Sequence, residues 1–142
     1  MKREASAVWQ GDLKTGAGAL STKSRVLTST PYSFETRFED DTGTGTNPEE
    51  LIGAAHAGCF SMALSMILGE AGFTPERIET DAVVSLEQVD DGFAITAIHL
   101  AVKASVPDIS EDKFRECANA AKEGCPVSKV LNADISMDAA LE

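Results

Sequence analysis

Positive charge is what this sequence has least of. Lys and Arg total 12 against 23 Asp and Glu, which leaves the 142-residue chain at −11. A phosphate backbone or an anionic bilayer repels such a chain, so neither nucleic acid nor a membrane surface is expected as a partner. Histidine is almost missing, with only His56 and His99, and cysteine is sparse and odd in number: Cys59, Cys117 and Cys125. The last two stand 125 − 117 = 8 positions apart and Cys59 is remote from both. Zinc ligands usually come in closer pairs, so no metal site is expected. There is no glycine-rich phosphate loop of the required form, and no repeat, linker or low-complexity tract. The N-terminal MKREASAVWQ carries basic residues with no apolar run behind them. No secretory leader is therefore expected, and the cytoplasm is the default location. Under reducing conditions three cysteines read as buried, catalytic or redox-active thiols rather than structural disulfides.

Charge is also missing locally. Leu51 to Leu68 contains no Asp, Glu, Lys or Arg. Eighteen such residues reach the lower edge of a membrane-spanning length. The stretch is rich in Ala, Gly and Ser, however, includes His56, and is flanked by Glu49, Glu50 and Glu70 rather than by Lys or Arg. A buried helix of a soluble protein fits better. Asn47 is placed to cap it, Pro48 suits the first helical position, and Glu50 stands where a capping box puts its carboxylate. Gly72, with Pro75 beyond, supplies the stop. The expected helix runs from about Pro48 to about Ala71. Its apolar residues fall on every side, so one face needs a sheet and another a further cover. A second copy of the chain is the expected cover, hence a homodimer.

With 43% hydrophobic and 25% charged residues, the chain is expected to form one domain, residues 1–142, able to bury a core. Most of the rest reads as strands: Ala5–Gln10, Gly18–Thr22, Ser24–Thr28, and PYSFETRFED from Pro31 to Asp40. In the last, Tyr32, Phe34, Thr36 and Phe38 alternate with Ser33, Glu35, Arg37 and Glu39. TDAVVSLEQV and FAITAIHLAVKASV pair across an Asp90-Asp91-Gly92 turn. ISEDKFRECANAAKEG is a second helix, capped by Ser110, with Phe114, Cys117, Ala118 and Ala121 as its apolar stripe and Gly124 as its end. A short helical turn follows Pro126. ADISMDAAL alternates as a half-buried strand. The order implies an α+β fold: a mostly antiparallel sheet packed on a long buried central helix and a second helix.

Local spacing does not assign the thiols. Cys117 lies in an apolar stripe and reads as a small core residue. Cys125 lies in EGCPVSK, where backbone N–H groups at the start of a helical turn favour a thiolate. Cys59 stands mid-helix, and by spacing alone Cys125 is the better nucleophile. His56 precedes Cys59 by three residues on the same helix face. A Cys–His hydrolase is thus conceivable, although no Asn or Asp is evident to orient the histidine.

TNPEELIGAAHAGCFSMALS, from Thr46 to Ser65, resembles the signature of the OsmC/Ohr family of thiol-dependent hydroperoxide peroxidases. GCPVS, from Gly124 to Ser128, resembles that family's second cysteine motif, and PYSFETRF its arginine-bearing strand. The likeness extends over nearly the whole chain. GAAHA before Cys59 and FSMALS after it look more like the OsmC branch than the Ohr branch.

The resemblance implies a reaction and its residues. Cys59 is the peroxidatic thiol and Cys125 the resolving thiol, joined in the cycle as a Cys59–Cys125 disulfide. Arg37 and Glu49 match the arginine and glutamate that organise the site. The implied fold is an intertwined OsmC-like homodimer. It works in oxidative stress defence on organic hydroperoxides, and less efficiently on hydrogen peroxide, with no metal, haem or flavin and an external dithiol, of the lipoyl type, as reductant. The chemistry is coherent: a thiolate attacks the peroxide, becomes a sulfenic acid, and a second thiol condenses with it. A permanent guanidinium favours the thiolate, and a carboxylate holds the guanidinium in place.

Plainer readings stand beside these. Arg37 can be a solvated strand residue paired with Glu35 or Glu39, and Glu49 a carboxylate at a helix start. Tyr32, Phe38, Phe60, Met62 and Met66 are candidates for an apolar entrance or, equally, for core. Glu49 and Cys59 are ten residues apart, about 15 Å on one straight helix. A shared site therefore requires either a displaced helix start or a contribution across a dimer interface. Three classes follow: a thiol peroxidase, a Cys–His hydrolase, and a non-catalytic small-molecule-binding or redox-sensing dimer.

Overall fold

Short apolar–polar alternation and polar turns open the chain, and they fold as a small antiparallel sheet. The computed structural model describes residues 1–39 and 44–142, which gather into two units, Met1–Leu51 and Ile52–Glu142. In the first unit, β1 (Ala5–Gln10), β2 (Ala17–Thr22) and β3 (Thr30–Tyr32) form a three-stranded sheet in that order. Both pairings are antiparallel. Trp9 and Tyr32 stack at 5.4 Å between ring centroids. A Cβ on Gly18 would run into both rings, so only glycine fits there.

Two strand expectations fail in this unit. Ser24–Thr28 is not a strand: it lies in a turn in which Arg25 has φ 64°. The hydroxyls of Thr22 and Ser24 bond each other, and the Thr22 hydroxyl accepts from the Leu27 N–H at 3.1 Å, which offers the backbone an alternative to a sheet ladder. The stretch from Pro31 onward keeps strand form only to Tyr32. Phe34–Phe38 is a helix, α1, and Asp40 at the end of the expected strand lies outside the described residues. The cause is a reciprocal cap: the Ser33 hydroxyl accepts from the Thr36 N–H at 3.2 Å, and the Thr36 hydroxyl accepts from the Ser33 N–H at 2.9 Å. Helical spacing then brings Phe34 and Phe38 together, with ring centroids 4.8 Å apart.

The long helix α2 (Pro48–Glu70) begins as expected, with Asn47 Oδ1 accepting from the Glu50 N–H at 2.8 Å. It ends in a Schellman motif. Gly72 has φ 89°, its N–H bonds the Gly69 carbonyl at 3.0 Å, and the Phe73 N–H bonds the Leu68 carbonyl at 2.9 Å. By length and composition α2 could cross a membrane. Its Phe60, Leu64 and Leu68 nevertheless have no exposed surface, and they join the protein core.

That core belongs to the second unit. There β4 (Arg77–Val89) and β5 (Gly92–Ser105) pair antiparallel, and β6 (Asp134–Leu141) lies parallel to β5. A parallel neighbour requires a crossover. The helices α3 (Glu111–Gly124) and α4 (Pro126–Val130) provide it. Ile98, Leu100, Val102 and Ala104 on one face of β5 meet the α2 face and the α3 stripe of Phe114, Cys117, Ala118 and Ala121. Among the described residues the strands form two three-stranded sheets, where one was expected, and β5–β6 pair in parallel. The α+β class stands. Met62 and Met66, on another side of α2, are 76% and 59% exposed in the single chain.

Candidate active site

Cys59 sits at the middle of α2, and the second thiol comes from the junction of two helices. Gly124 ends α3, and the Cys125 N–H closes that helix on the Ala121 carbonyl at 2.9 Å. Pro126 starts α4 and keeps Cys125 extended, at φ −57° and ψ 126°. The two sulfurs lie 2.8 Å apart and share a hydrogen bond. Cys59 is partly accessible, whereas Cys125 has no exposed surface.

Their acidities are pushed apart. Burial raises the Cys59 thiol, and the hydrogen bond and charge of Cys125 raise it further, against the Val127 N–H. Burial acts to raise Cys125 too, but the neighbouring Cys59 thiol and the polar groups of Ser128 and Val127 outweigh it and hold this thiol low. Spacing had pointed the same way, to Cys125 as the easier thiolate. Access points the other way, to Cys59.

His56 does not serve Cys59 as a hydrolase base. Its ring is fully buried, and Nε2 lies 2.7 Å from the Ser128 hydroxyl. Nδ1 has no partner among the described residues. Burial lowers its pKa below the ordinary 6.5, so the ring is neutral near pH 7. The role of Ser128 escaped sequence reasoning, although the residue closes the GCPVS motif. Cys117 is the core residue expected, 3% exposed, with burial raising its thiol. Among the described residues no group of three His, Cys, Asp or Glu is placed to hold a metal.

Arg37 and Glu49 meet within the first unit. Arg37 Nη2 donates to Glu49 Oε1 at 2.8 Å, and Nε lies 3.3 and 3.2 Å from the two carboxylate oxygens. Glu49 is 8% exposed. Arg37 therefore does not pair with Glu35 or Glu39, and its guanidinium also lies 5.2 Å from the Phe38 ring centroid. Beside it opens a cavity of about 280 Å³, lined by Trp9, Leu13, Tyr32, Phe34, Arg37 and Phe38 among others. Tyr32 and Phe38 are thus where an apolar entrance needs them. Phe60 is core instead, and Met62 and Met66 are exposed on α2.

The chain is similar to known proteins over most of its length. A family profile described as OsmC-like protein matches residues 40–139. The chain is 57% identical to peroxiredoxin OsmC of Escherichia coli over 96% of this chain and 94% of that protein. It is 36% identical to the organic hydroperoxide resistance protein OhrB of Bacillus subtilis over 67% of this chain and 70% of that one. The crystal structure of Bacillus subtilis OhrB superposes with a TM-score of 0.70 at 27% identity, covering 96% of this chain and 97% of the other. By class, then, the protein is a cysteine-based, thiol-dependent peroxidase of oxidative stress defence. It belongs to the OsmC family.

Proposed function

We propose that Cys59 is the peroxidatic thiol, Cys125 the resolving thiol, and the Arg37–Glu49 pair the activating charge of an organic hydroperoxide peroxidase. The observation that carries this reading is the 2.8 Å separation of a reachable sulfur from a sheltered one. The Cys59 thiolate attacks the distal peroxide oxygen. The O–O bond breaks, an alcohol leaves, and Cys59 becomes a sulfenic acid. Cys125 then attacks that sulfur, the S–O bond breaks, water leaves, and a Cys59–Cys125 disulfide forms. An external dithiol, of the lipoyl type, returns both thiols by exchange and is itself oxidised to a disulfide. No prosthetic group takes part.

Cys59 needs help to ionise, because burial and its neighbour both oppose it. A guanidinium supplies that help, and the Glu49 carboxylate fixes its direction through bonds to both oxygens. Helix α2 is continuous from Pro48 to Glu70, and ten residues on it rise about 15 Å. This supports a site made by two copies of the chain, with Cys59 and Cys125 from one and Arg37 and Glu49 from the other. The exposed Met62 and Met66 support the same homodimer. The apolar cavity beside Arg37 suits the carbon tail of an alkyl or lipid-like hydroperoxide and offers little to hydrogen peroxide. The whole chain acts as one OsmC-like domain in the cytoplasm.

Peptide mass spectrometry after one equivalent of cumene hydroperoxide tests the assignment. A Cys59–Cys125 link with Cys117 free is expected. Recovery of Cys59 and Cys125 unmodified, or turnover that survives Cys59→Ser, would remove it.

A further inference from the structure

A leucine stands in solvent on a tightly held turn. The turn joins β1 to β2, and Asp12 organises it. Oδ1 of Asp12 accepts from the Lys14 and Thr15 N–H groups, each at 2.9 Å, and Oδ2 accepts from the Thr15 hydroxyl. An aspartate that folds its own turn in this way restricts the residue beside it. That residue is Leu13, 64% exposed. A single exposed leucine is ordinary by itself. This one forms part of the wall of the cavity beside Arg37.

The other apolar walls are aromatic. Trp9 leans on Tyr32 with ring planes 53° apart, and Phe34 on Phe38 at 37°. The first pair comes from the sheet and the second from α1. The indole is tethered as well as packed, since Nε1 donates to the Gly11 carbonyl at 3.0 Å. Trp9 and Leu13 therefore flank the same anchored turn and face the same space. Charge reaches that space from Arg37, whose Nε and Nη2 are held by Glu49. At about 280 Å³ the cavity lies at the small end of ligand pockets, about 300–1,000 Å³. It suits a ring-sized carbon group with a polar function beside the guanidinium. Rings that can tilt against a guest's π face favour it over an aliphatic group of the same area.

We propose that Trp9 and Leu13 are specificity-determining residues of the peroxidase: with the Phe34–Phe38 pair they select hydroperoxides whose carbon carries an aryl group over compact aliphatic ones. This rests on the reading of the cavity as the substrate's entrance. It gives neither residue a part in the thiol chemistry of Cys59 and Cys125.

Two product alcohols separate recognition from turnover. Cumene hydroperoxide yields 2-phenylpropan-2-ol and tert-butyl hydroperoxide yields tert-butanol, which differ by a phenyl in place of a methyl. Trp9 is the only tryptophan of the chain, so its fluorescence reports on the cavity directly. A saturable change is expected with both alcohols, with the phenyl alcohol binding tighter by at least about two- to tenfold, the usual gain from an aromatic contact. Leu13→Ala alters an exposed side chain and keeps the fold. It should cut that preference by a few fold, as should Trp9→Leu in turnover. There both variants should lower the ratio of kcat/KM between cumene and tert-butyl hydroperoxide, and do so through KM.

A ratio unchanged in Leu13→Ala and in Trp9→Leu overturns the proposal, and so do equal losses on both peroxides, which mark a turn that matters for folding alone. Trp9 emission that neither alcohol alters overturns it as well, because the cavity is then closed to ligands. If the alcohols bind with the expected preference and the protein consumes no peroxide, the selectivity of the cavity stands and the peroxidase assignment has failed instead.

Discussion

At the scale of the residue, the difficulty is to make an anion of a thiol that sits against another thiol. Cys59 is pushed up by burial and by Cys125, so its reactivity must be sensitive to a neighbouring cation. Arg37→Ala tests this through pH. In the wild type the rate of Cys59 oxidation should be level across neutral pH. In Arg37→Ala it should fall at pH 7 by about ten- to a hundredfold, one to two units of thiol acidity. What remains should climb with pH through and past the ordinary thiol range near 8.5, because a raised thiol ionises only above it. Glu49→Gln should give a smaller loss, since the guanidinium keeps its charge and loses its tether. Stopped-flow oxidation over a pH series reads both, and a flat profile in Arg37→Ala counts against the role given to the arginine. The pairing itself was only half legible. Arg37 among Glu35 and Glu39 looked like a solvated strand residue, and nothing in sequence spacing marks Glu49 as its partner, twelve positions on.

At the scale of the element, α1 shows how a local device overrides a longer pattern. Alternation from Tyr32 to Phe38 asks for a strand, but two side-chain bonds between Ser33 and Thr36 close a helical turn first. The cap matters beyond its own stability, because α1 carries Arg37. Ser33→Ala should cost about 1 kcal/mol in chemical denaturation, the usual loss for a missing cap. It should also reduce peroxide turnover, as Arg37 loses its fixed start. Unaltered stability and turnover would show that α1 holds without the cap. By contrast, α2 and α3 were readable almost to the residue. Each has a capping residue in front, Asn47 and Ser110, and a glycine near its end, Gly72 and Gly124. These signals act over four residues and need no tertiary partner.

At the scale of the whole molecule, the open side of α2 sets the question of assembly. One face, with Phe60, Leu64 and Leu68, is fully buried, while Met62 and Met66 stand exposed in a single chain. Covering a methionine of this size is worth about 1.5–3 kcal/mol. If the proposed two-chain site holds, Met66→Glu is therefore expected to shift the protein toward monomer in light scattering and to depress turnover with it. A fully active monomer would refute the two-chain site while leaving the dithiol chemistry intact.

What the amino-acid sequence alone determined was the kind of protein and the positions of the helices α2 and α3. Charge balance argued against polyanion partners, capping and stop residues bounded α2 and α3, and the motifs around Cys59 and Cys125 pointed to their chemistry. Those are local or compositional signals, so they survive without the fold. Only the tertiary structure decided that the two sulfurs lie 2.8 Å apart, that His56 turns to Ser128 instead of Cys59, and that Arg37 reaches Glu49. Each of these contacts joins residues distant in the chain, and its geometry depends on how helices and loops pack. A one-dimensional pattern does not carry that information.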